Sequence, residues 1–263
     1  MTEPLARLRK LVERLRLECP WDREQTFATL STYLLEETHE LLEALDRGDA
    51  ADLRAELGDL LFQIFFLSRI AEESKWFSIE DVATGIEEKM VARHPHVFGA
   101  DRAENAAAVK ANWEKRKRLS GDRRPDPLLG IPATLPALSI ALRMSERAAD
   151  LGFDWEKDVD LLGKIEEEVG EARRAQGSGD RAATEEELGD LLFALANWAR
   201  RSSLDPERAL RLANEKFRHR FRAVAELTLR DGKDVSECGA AELDRYWNAV
   251  KSEERRTSPD SRA

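Results

Sequence analysis

Cysteine is scarce in this 263-residue sequence, which contains only Cys19 and Cys238. Two cysteines are too few for the set of disulfide bonds that stabilises small secreted domains, and neither belongs to a CxxC metal motif. Neither has a nearby basic partner in sequence, so both are interpreted as core thiols rather than nucleophiles. This cysteine usage fits a reducing compartment.

Long apolar runs are also missing. The longest, Leu60 to Leu67, contains Gln63 and is far shorter than the about 20 residues of a membrane-spanning helix. Residues 1–17 carry arginines and a lysine among their leucines and lack the uninterrupted apolar core of a signal peptide. We therefore expect a cytoplasmic protein that has no membrane partner.

The charge balance argues against a general nucleic-acid binder. The 42 Lys and Arg residues are outnumbered by 52 Asp and Glu residues, which leaves a formal net charge of −10, and no dense basic tract offsets it. No strand pattern is convincing, whereas apolar residues recur at helical spacing along most of the chain. The sequence therefore predicts an all-α fold.

Carboxylates are abundant between residues 167 and 190, where they form two groups. Residues three and four apart share a helix face, so the members of each group project the same way. Gly177 to Asp180 is a turn signal that would fold the two helices into an antiparallel hairpin, with the groups face to face. The acids flank an apolar stripe that includes Leu188 and Leu192, so we expect them beside a buried seam. The two groups are Glu167, Glu168 and Glu171, then Glu187 and Asp190.

Such a cluster predicts a metal site. Several carboxylates buried together are strongly unfavourable unless cations or protons neutralise them. Oxygen ligands of this kind suit Mg²⁺, with Mn²⁺ as an alternative. A solvated, glutamate-rich helix face is the usual explanation for a single EExxE motif in so charged a chain.

Repetition of the pattern argues against interpreting it as a solvated helix face. The heptapeptide ELGDLLF occurs at Glu56 to Phe62 and again at Glu187 to Phe193. Adding 131 to the position of each earlier acid gives its later counterpart. The earlier acids are Glu36, Glu37, Glu40, Glu56 and Asp59. The chain is therefore predicted to be a tandem duplication of a helical-bundle domain.

The predicted boundaries follow the change in composition. The first helical domain spans 1–119 and the second spans 137–252, with final helices expected at about 105–118 and 240–251. Between them, 120–136 is a proline-rich linker. Residues 253–263 are polar and are predicted to be a disordered tail.

Basic and aromatic residues also recur in both copies. Lys89 and Arg93 correspond to Lys216 and Arg220, each plus 127. Clustered carboxylates with Lys and Arg nearby are typical of sites for metal-bound polyphosphates, and a Trp beside them could pack on a base or sugar. Taken singly, each basic residue is more simply a surface charge and each Trp a core residue. A second recurring pair is Trp113 with Lys117, which corresponds to Trp247 with Lys251, each plus 134.

The doubled EExxE…ExxD pattern resembles that of the two-domain MazG nucleoside triphosphate pyrophosphohydrolases. RHPHVF at Arg93 to Phe98 and NEKFRHRF at Asn214 to Phe221 carry the same likeness, which covers nearly the whole chain. The resemblance implies an all-α, Mg²⁺-dependent enzyme that hydrolyses NTPs and dNTPs to the monophosphate and pyrophosphate, usually as a homodimer.

The resemblance also implies roles for individual residues. Glu167 is our hypothesis for the carboxylate that orients or deprotonates the attacking water. The implied metal ligands are Glu168, Glu171, Glu187 and Asp190, with first-copy counterparts Glu37, Glu40, Glu56 and Asp59. The implied nucleotide contacts are Lys216, Arg220, Trp247 and Lys251, with counterparts Lys89, Arg93, Trp113 and Lys117.

The resemblance further implies that the second copy is the active one, although both retain all five acids. Asn197 stands where the first copy has Phe66, and an Asn there could bond a ligand or a metal-bound water; alternatively, Phe66 simply faces a larger core. One departure points the other way: Ala183 occupies a position where the family has a basic nucleotide contact. Activity of the first copy is left open.

Two other functions compete with hydrolysis. The first is a nucleotide- or metal-sensing scaffold of the same fold, which would bind nucleotide without releasing product. The second is a carboxylate-bridged di-iron bundle, suggested by the Glu-x-x-His unit at Glu36 and His39. That class needs the unit on two helices, and the second copy has Gly170 in place of the histidine.

Overall fold

The computed structural model describes residues 3–99 and 126–257, and every regular element in those ranges is a helix. The prediction of an all-α fold is thereby confirmed. The chain divides into two compact units, Met1–Arg123 and Arg124–Ala263. The helix expected at about 105–118, with Trp113 and Lys117, lies outside the described residues, as do 120–125 of the expected linker, and the predicted domain boundaries stay predictions.

The first unit is a helical bundle in which α3 and α4 form an antiparallel hairpin and α1 packs on α4. Its helices are α1 (Glu3–Glu18), α2 (Pro20–Glu24), α3 (Phe27–Arg47), α4 (Ala50–Glu73), α5 (Ile79–Arg93) and α6 (Pro95–Phe98).

The second unit repeats the hairpin with α8 and α9, and α7 packs against α9. Its helices are α7 (Ala137–Asp150), α8 (Asp158–Ser178), α9 (Arg181–Arg201), α10 (Pro206–Arg230) and α11 (Ala240–Thr257), with a 3₁₀ turn at Val235–Glu237. In the described part of the expected linker, Pro127 and Leu129 accept hydrogen bonds from Arg147 on α7, at 3.3 and 2.7 Å between nitrogen and carbonyl oxygen.

The two hairpin turns are built from the same pair of residues, a glycine followed by an aspartate. Gly48 and Gly179 end their helices at φ 73° and 75°, in the left-handed region that favours glycine. The next residue in each copy, Asp49 or Asp180, caps the following helix by accepting hydrogen bonds from two backbone N–H groups. This Gly-Asp pair thus ends the first acidic helix and begins the second in each copy.

The last helix is longer than expected. It continues to Thr257, about six residues beyond the predicted end, and so includes the start of the segment predicted to be a disordered tail. Residues 252–257 contain no helix breaker before Pro259, and Arg255 and Arg256 lie in the last turn, where basic side chains interact favourably with the helix dipole.

A buried apolar cluster holds the first unit together. Its members come from α1, α3 and α4 and are each at most 7% exposed: Val12, Leu30, Phe65, Phe66 and Ile70. The second unit contains smaller buried side chains, with Ala141, Ala194 and Ala196 beside Leu161, Val224 and Val250.

The apolar stripe of α9 is not the buried seam that we expected. Leu188, Leu192, Leu195 and Trp198 are 36–50% exposed, because the other described elements cover only part of this helix. The same holds for Leu57 and Ile64 on α4, at 51% and 39%. Both hairpins therefore leave an apolar face in contact with solvent.

Arg16 joins α1 to the C-terminal end of α2, and we expect Arg16→Met to destabilise the first unit by about 2–3 kcal/mol. Its guanidinium donates to the backbone carbonyls of Asp22, Arg23 and Gln25 at 2.5 to 2.9 Å and pairs with Glu73. Methionine has a similar length and no donors, so these carbonyls would lose the hydrogen bonds that the guanidinium donates. Urea denaturation of both proteins measures the difference, and an unchanged midpoint would show that water replaces the guanidinium at no cost.

Candidate functional site

The α8–α9 hairpin brings three predicted ligands together. Glu168, Glu171 and Glu187 each offer a carboxylate oxygen, and these oxygens lie within 4.8 Å of one another. Glu168 is buried, at 5% exposure, and the other two are half-buried. Three or four residues along a helix and one antiparallel turn are sufficient to produce this arrangement.

The first copy forms the same group. Oxygens of Glu37, Glu40 and Glu56 also lie within 4.8 Å of one another, although Glu37 is less buried than its counterpart Glu168. The two copies of the sequence motif therefore form the same arrangement of three glutamates in both units.

The remaining predicted acids lie beside these groups. Asp190 and Asp59 are exposed and are not among the oxygens that meet the 4.8 Å spacing in the described parts of the chain. Both are close enough for their charge to matter, because Asp190 raises the pKa of Glu187 and Asp59 that of Glu37. Glu167 and Glu36 are also exposed.

Both groups hold excess negative charge. Burial, followed by the charges of Glu171 and Glu168, raises the pKa of Glu187 above its ordinary value. In the first copy, burial and neighbouring carboxylates raise the pKa of both Glu37 and Glu56. A raised pKa means that the charged form is disfavoured, so a cation among these oxygens would stabilise the protein.

Lys164 is a residue of the site that the sequence analysis missed. Its ammonium lies 2.9 Å from Glu167 and 2.8 Å from Glu168, and hydrogen bonds to these two carboxylates raise the pKa of Lys164. The signal was present, since Lys164 precedes the two acids by three and four residues on one helix. Tyr33 occupies the equivalent position of the first copy.

The first copy has a different neighbour at its acidic group. Gln63 is buried, and its side chain hydrogen-bonds with Glu37, which opposes the rise in the pKa of that carboxyl. The Oε1 atom of Gln63 has no hydrogen-bond partner among the described residues. The second copy has Ala194 at this position, so the two acidic groups have unlike surroundings.

The predicted nucleotide contacts of the second copy lie on α10 and α11. Arg220 donates to one oxygen of Glu254 from Nη2 and Nε, at 2.7 and 2.9 Å, and to the other oxygen from Nε, at 3.1 Å. This hydrogen bonding lowers the pKa of Glu254. The guanidinium carbon is 5.8 Å from the ring centroid of Trp247, which Phe217 also approaches at 5.3 Å. Lys251 is half-buried on α11.

The other basic candidates are only partly described. Lys216 and Lys89 are exposed, and Arg93 is half-buried at the end of α5. Trp113 and Lys117 lie outside the described residues.

The fold and the site together define a class of protein. It is a helical protein with two copies of a hairpin, and each hairpin carries a cluster of carboxylates that could hold a metal ion. The model of the MazG nucleotide pyrophosphohydrolase domain matches the chain twice, at residues 25–98 and 158–225. The chain belongs to this family, which confirms the resemblance seen in the sequence.

Relatives match along almost their whole length. The nucleoside triphosphate pyrophosphohydrolase of Escherichia coli K12 is 42% identical over 94% of this chain and 97% of its own length. The nucleoside triphosphate pyrophosphohydrolase/pyrophosphatase MazG of Thermotoga maritima is 41% identical over 92% of this chain and 93% of its own. A crystal structure of a MazG-related protein from Thermotoga maritima aligns with 43% of this chain at 27% identity, with a TM-score of 0.39 that is too low to bear on the fold. In the described ranges, none of the helices is both long and apolar enough to cross a membrane.

Removal of one charge from the acidic group is expected to change stability in a pH-dependent way. Because the pKa of Glu187 is raised in the folded protein, the stability that its protonation contributes is complete below the unfolded pKa, about 4.3, and is lost as the pH rises through the folded pKa. In protein treated with a chelator, Glu187→Gln should therefore raise the melting temperature at neutral pH, and the gain should vanish in acid. Glu185→Gln, which removes an exposed charge from the same helix, is the control. A lower melting temperature of Glu187→Gln at neutral pH would contradict the electrostatic account.

Proposed function

We propose that this protein hydrolyses NTPs and dNTPs to the nucleoside monophosphate and pyrophosphate with Mg²⁺ as cofactor. The main observation behind the proposal is the cluster of Glu168, Glu171 and Glu187. These residues come from two helices, and their carboxylate oxygens lie close enough together to bind one cation. The proposal is supported by membership of a nucleotide pyrophosphohydrolase family and by relatives that are named as such enzymes and match over almost their whole length.

The donor set of the second copy fits a hard divalent cation. All donors are carboxylate oxygens, and burial together with the charges of Glu171 and Glu168 raises the pKa of Glu187. Glu168, Glu171, Glu187 and, from the exposed edge, Asp190 would hold Mg²⁺ or Mn²⁺. When bound, the cation neutralises triphosphate oxygens and makes a coordinated water more acidic.

Glu167 is the residue to which we assign the orientation or deprotonation of the attacking water. It adjoins the buried ligand Glu168, is itself exposed, and is held by Lys164 at 2.9 Å. A carboxylate fixed in this way can accept a proton without first having to be ordered. Lys164 is thus a positioning residue for both acids.

Basic residues of α10 and α11 neutralise the rest of the triphosphate. Lys216 and Lys251 supply ammonium groups, and Trp247 packs against the sugar. Arg220 is shared with Glu254, so a phosphate oxygen must compete with that carboxylate for the guanidinium.

The second copy of the repeat carries the activity in this proposal, because it combines a buried ligand, Glu168, with the lysine Lys164.

The protein is a homodimer in this proposal, in which a partner protomer covers the apolar faces of the hairpins. Light scattering at micromolar concentration tests this, and a monomeric mass would contradict it. The scarcity of cysteine supports a cytoplasmic setting.

The products decide the function. The full chain is incubated with each NTP and dNTP, with Mg²⁺ or with a chelator, and phosphorus NMR identifies the products. Monophosphate and pyrophosphate formed only with Mg²⁺ is the expected result. Diphosphate and phosphate would contradict the reaction, and nucleotide bound without turnover would select the sensing scaffold instead.

A further inference from the structure

A cavity of about 320 Å³ lies in the second unit, between α7, α9 and the loop that joins α7 to α8. Its walls are largely aromatic, with Phe153 and Trp155 from the loop and Phe193 from α9. Phe153 is 85% exposed, an unusual position for so large an apolar side chain unless a ligand covers it. The volume is at the lower end of the range for small-molecule sites in proteins.

The cavity lies on the same face of α9 as the predicted metal ligand Asp190. Phe193 and Asn197 follow Asp190 by three and seven residues, which places all three side chains on the same side of the helix. At 1.5 Å per residue, Asn197 is about 10 Å along the axis from Asp190. A nucleotide whose phosphates lie at the acids therefore has its base near Phe193 and Asn197.

A series of side-chain hydrogen bonds orients the amide of Asn197 in the cavity. Arg200 donates from Nε to Oδ1 of Asn197 at 2.9 Å and from Nη2 to Asp154 at 2.5 Å. Asp154 also accepts from the backbone N–H of Trp155 at 2.9 Å. Because Oδ1 is occupied, the amide presents its Nδ2 donor, which bonds to no other residue in the described parts of the chain.

A core side chain fills the equivalent position of the first copy. Phe66, which corresponds to Asn197, is 1% exposed and packs with Val12, Leu30 and Phe65. The same helix of the duplicated unit thus contributes to the core in one copy and lines a cavity in the other.

We propose that this cavity binds the base of the nucleoside triphosphate, and that Asn197 favours bases that present a carbonyl oxygen. The inference rests on the function proposed above. Guanine O6 and uracil or thymine O4 are acceptors where adenine N6 and cytosine N4 are donors. When adenine or cytosine occupies the cavity, the Nδ2 donor of Asn197 has no acceptor. The free-energy cost of that unpaired donor corresponds to about a tenfold preference for GTP over ATP and for UTP over CTP.

The matched variant is Asn197→Asp. It retains an oxygen for Arg200 but replaces the amide donor with an acceptor, so the ratio of kcat/KM for GTP to that for ATP should invert, as should the ratio for UTP to CTP. Asn197→Phe, which copies the first unit, should weaken all four nucleotides through KM and abolish the preference. Mn²⁺ affinity, measured without nucleotide, should be unchanged in both variants.

Calorimetric binding of GMP and AMP to the full chain separates this inference from the proposed activity. If the wild type releases no pyrophosphate but binds GMP more tightly than AMP, and Asn197→Asp removes that difference, the proposed function fails and the base site holds. Equal affinity for GMP and AMP in the wild type, a preference for ATP over GTP, or an equal fall for all four nucleotides in Asn197→Asp would overturn the inference.

Discussion

Glu168→Gln is expected to lower the rate of pyrophosphate release by at least about 100-fold, since even residues that only support metal ligands typically cost 10- to 100-fold. The substitution preserves size but removes a charged ligand from the most buried position of the acidic group, at 5% exposure. The remaining acids would then bind the cation more weakly and in altered geometry. Initial rates at saturating NTP and Mg²⁺ give the comparison.

Glu37→Gln is the matched control, because Glu37 occupies the equivalent position of the first copy. We expect its rate to stay within about twofold of the wild type, since each substitution removes one negative charge but only Glu168 belongs to the copy assigned to catalysis. Circular dichroism melts verify that both variants are folded. Equal losses would mean two working or coupled sites, and full activity of Glu168→Gln would remove this group from the mechanism.

Phe66→Ala is expected to have the largest effect on stability, about 3–5 kcal/mol, because it deletes a phenyl ring from the core of the first unit and leaves a cavity. Phe66 is 1% exposed and is among the largest fully buried side chains of the described residues. Urea denaturation monitored by circular dichroism measures the loss.

Asn197→Ala tests the same position in the second unit. Its side chain borders an existing cavity, so its removal should cost about 1 kcal/mol, the value of its hydrogen bond with Arg200. Similar losses for the two variants would mean that the two copies are packed alike at this position, contrary to the structure.

Local spacing explains how much of this site was predictable. Glu168, Glu171 and Glu187 could be placed together from helix periodicity and one Gly-Asp turn, and repetition at 131 residues made chance improbable. Burial was less predictable, because the apolar stripe that includes Leu188 appears in the sequence as a core face although its own chain leaves it half exposed.

Contacts between distant segments could not be predicted. Asp154 and Arg200 are 46 residues apart, and neither the hydrogen bond between them nor the orientation it gives Asn197 has a signature in a single sequence. Lys164 is the opposite case, because its spacing to Glu168 was visible but basic residues near acids are too common to single out one.

Binding of Mn²⁺, followed by electron paramagnetic resonance, tests the central claim most directly. The wild type, Glu168→Gln and Glu37→Gln are titrated with Mn²⁺ in the presence of the reaction product pyrophosphate, and Mg²⁺ is used as competitor. The account predicts that Glu168→Gln loses a Mg²⁺-competed site that Glu37→Gln retains. An unchanged number and affinity of Mn²⁺ sites in Glu168→Gln would show that the carboxylates of α8 and α9 do not hold the cation.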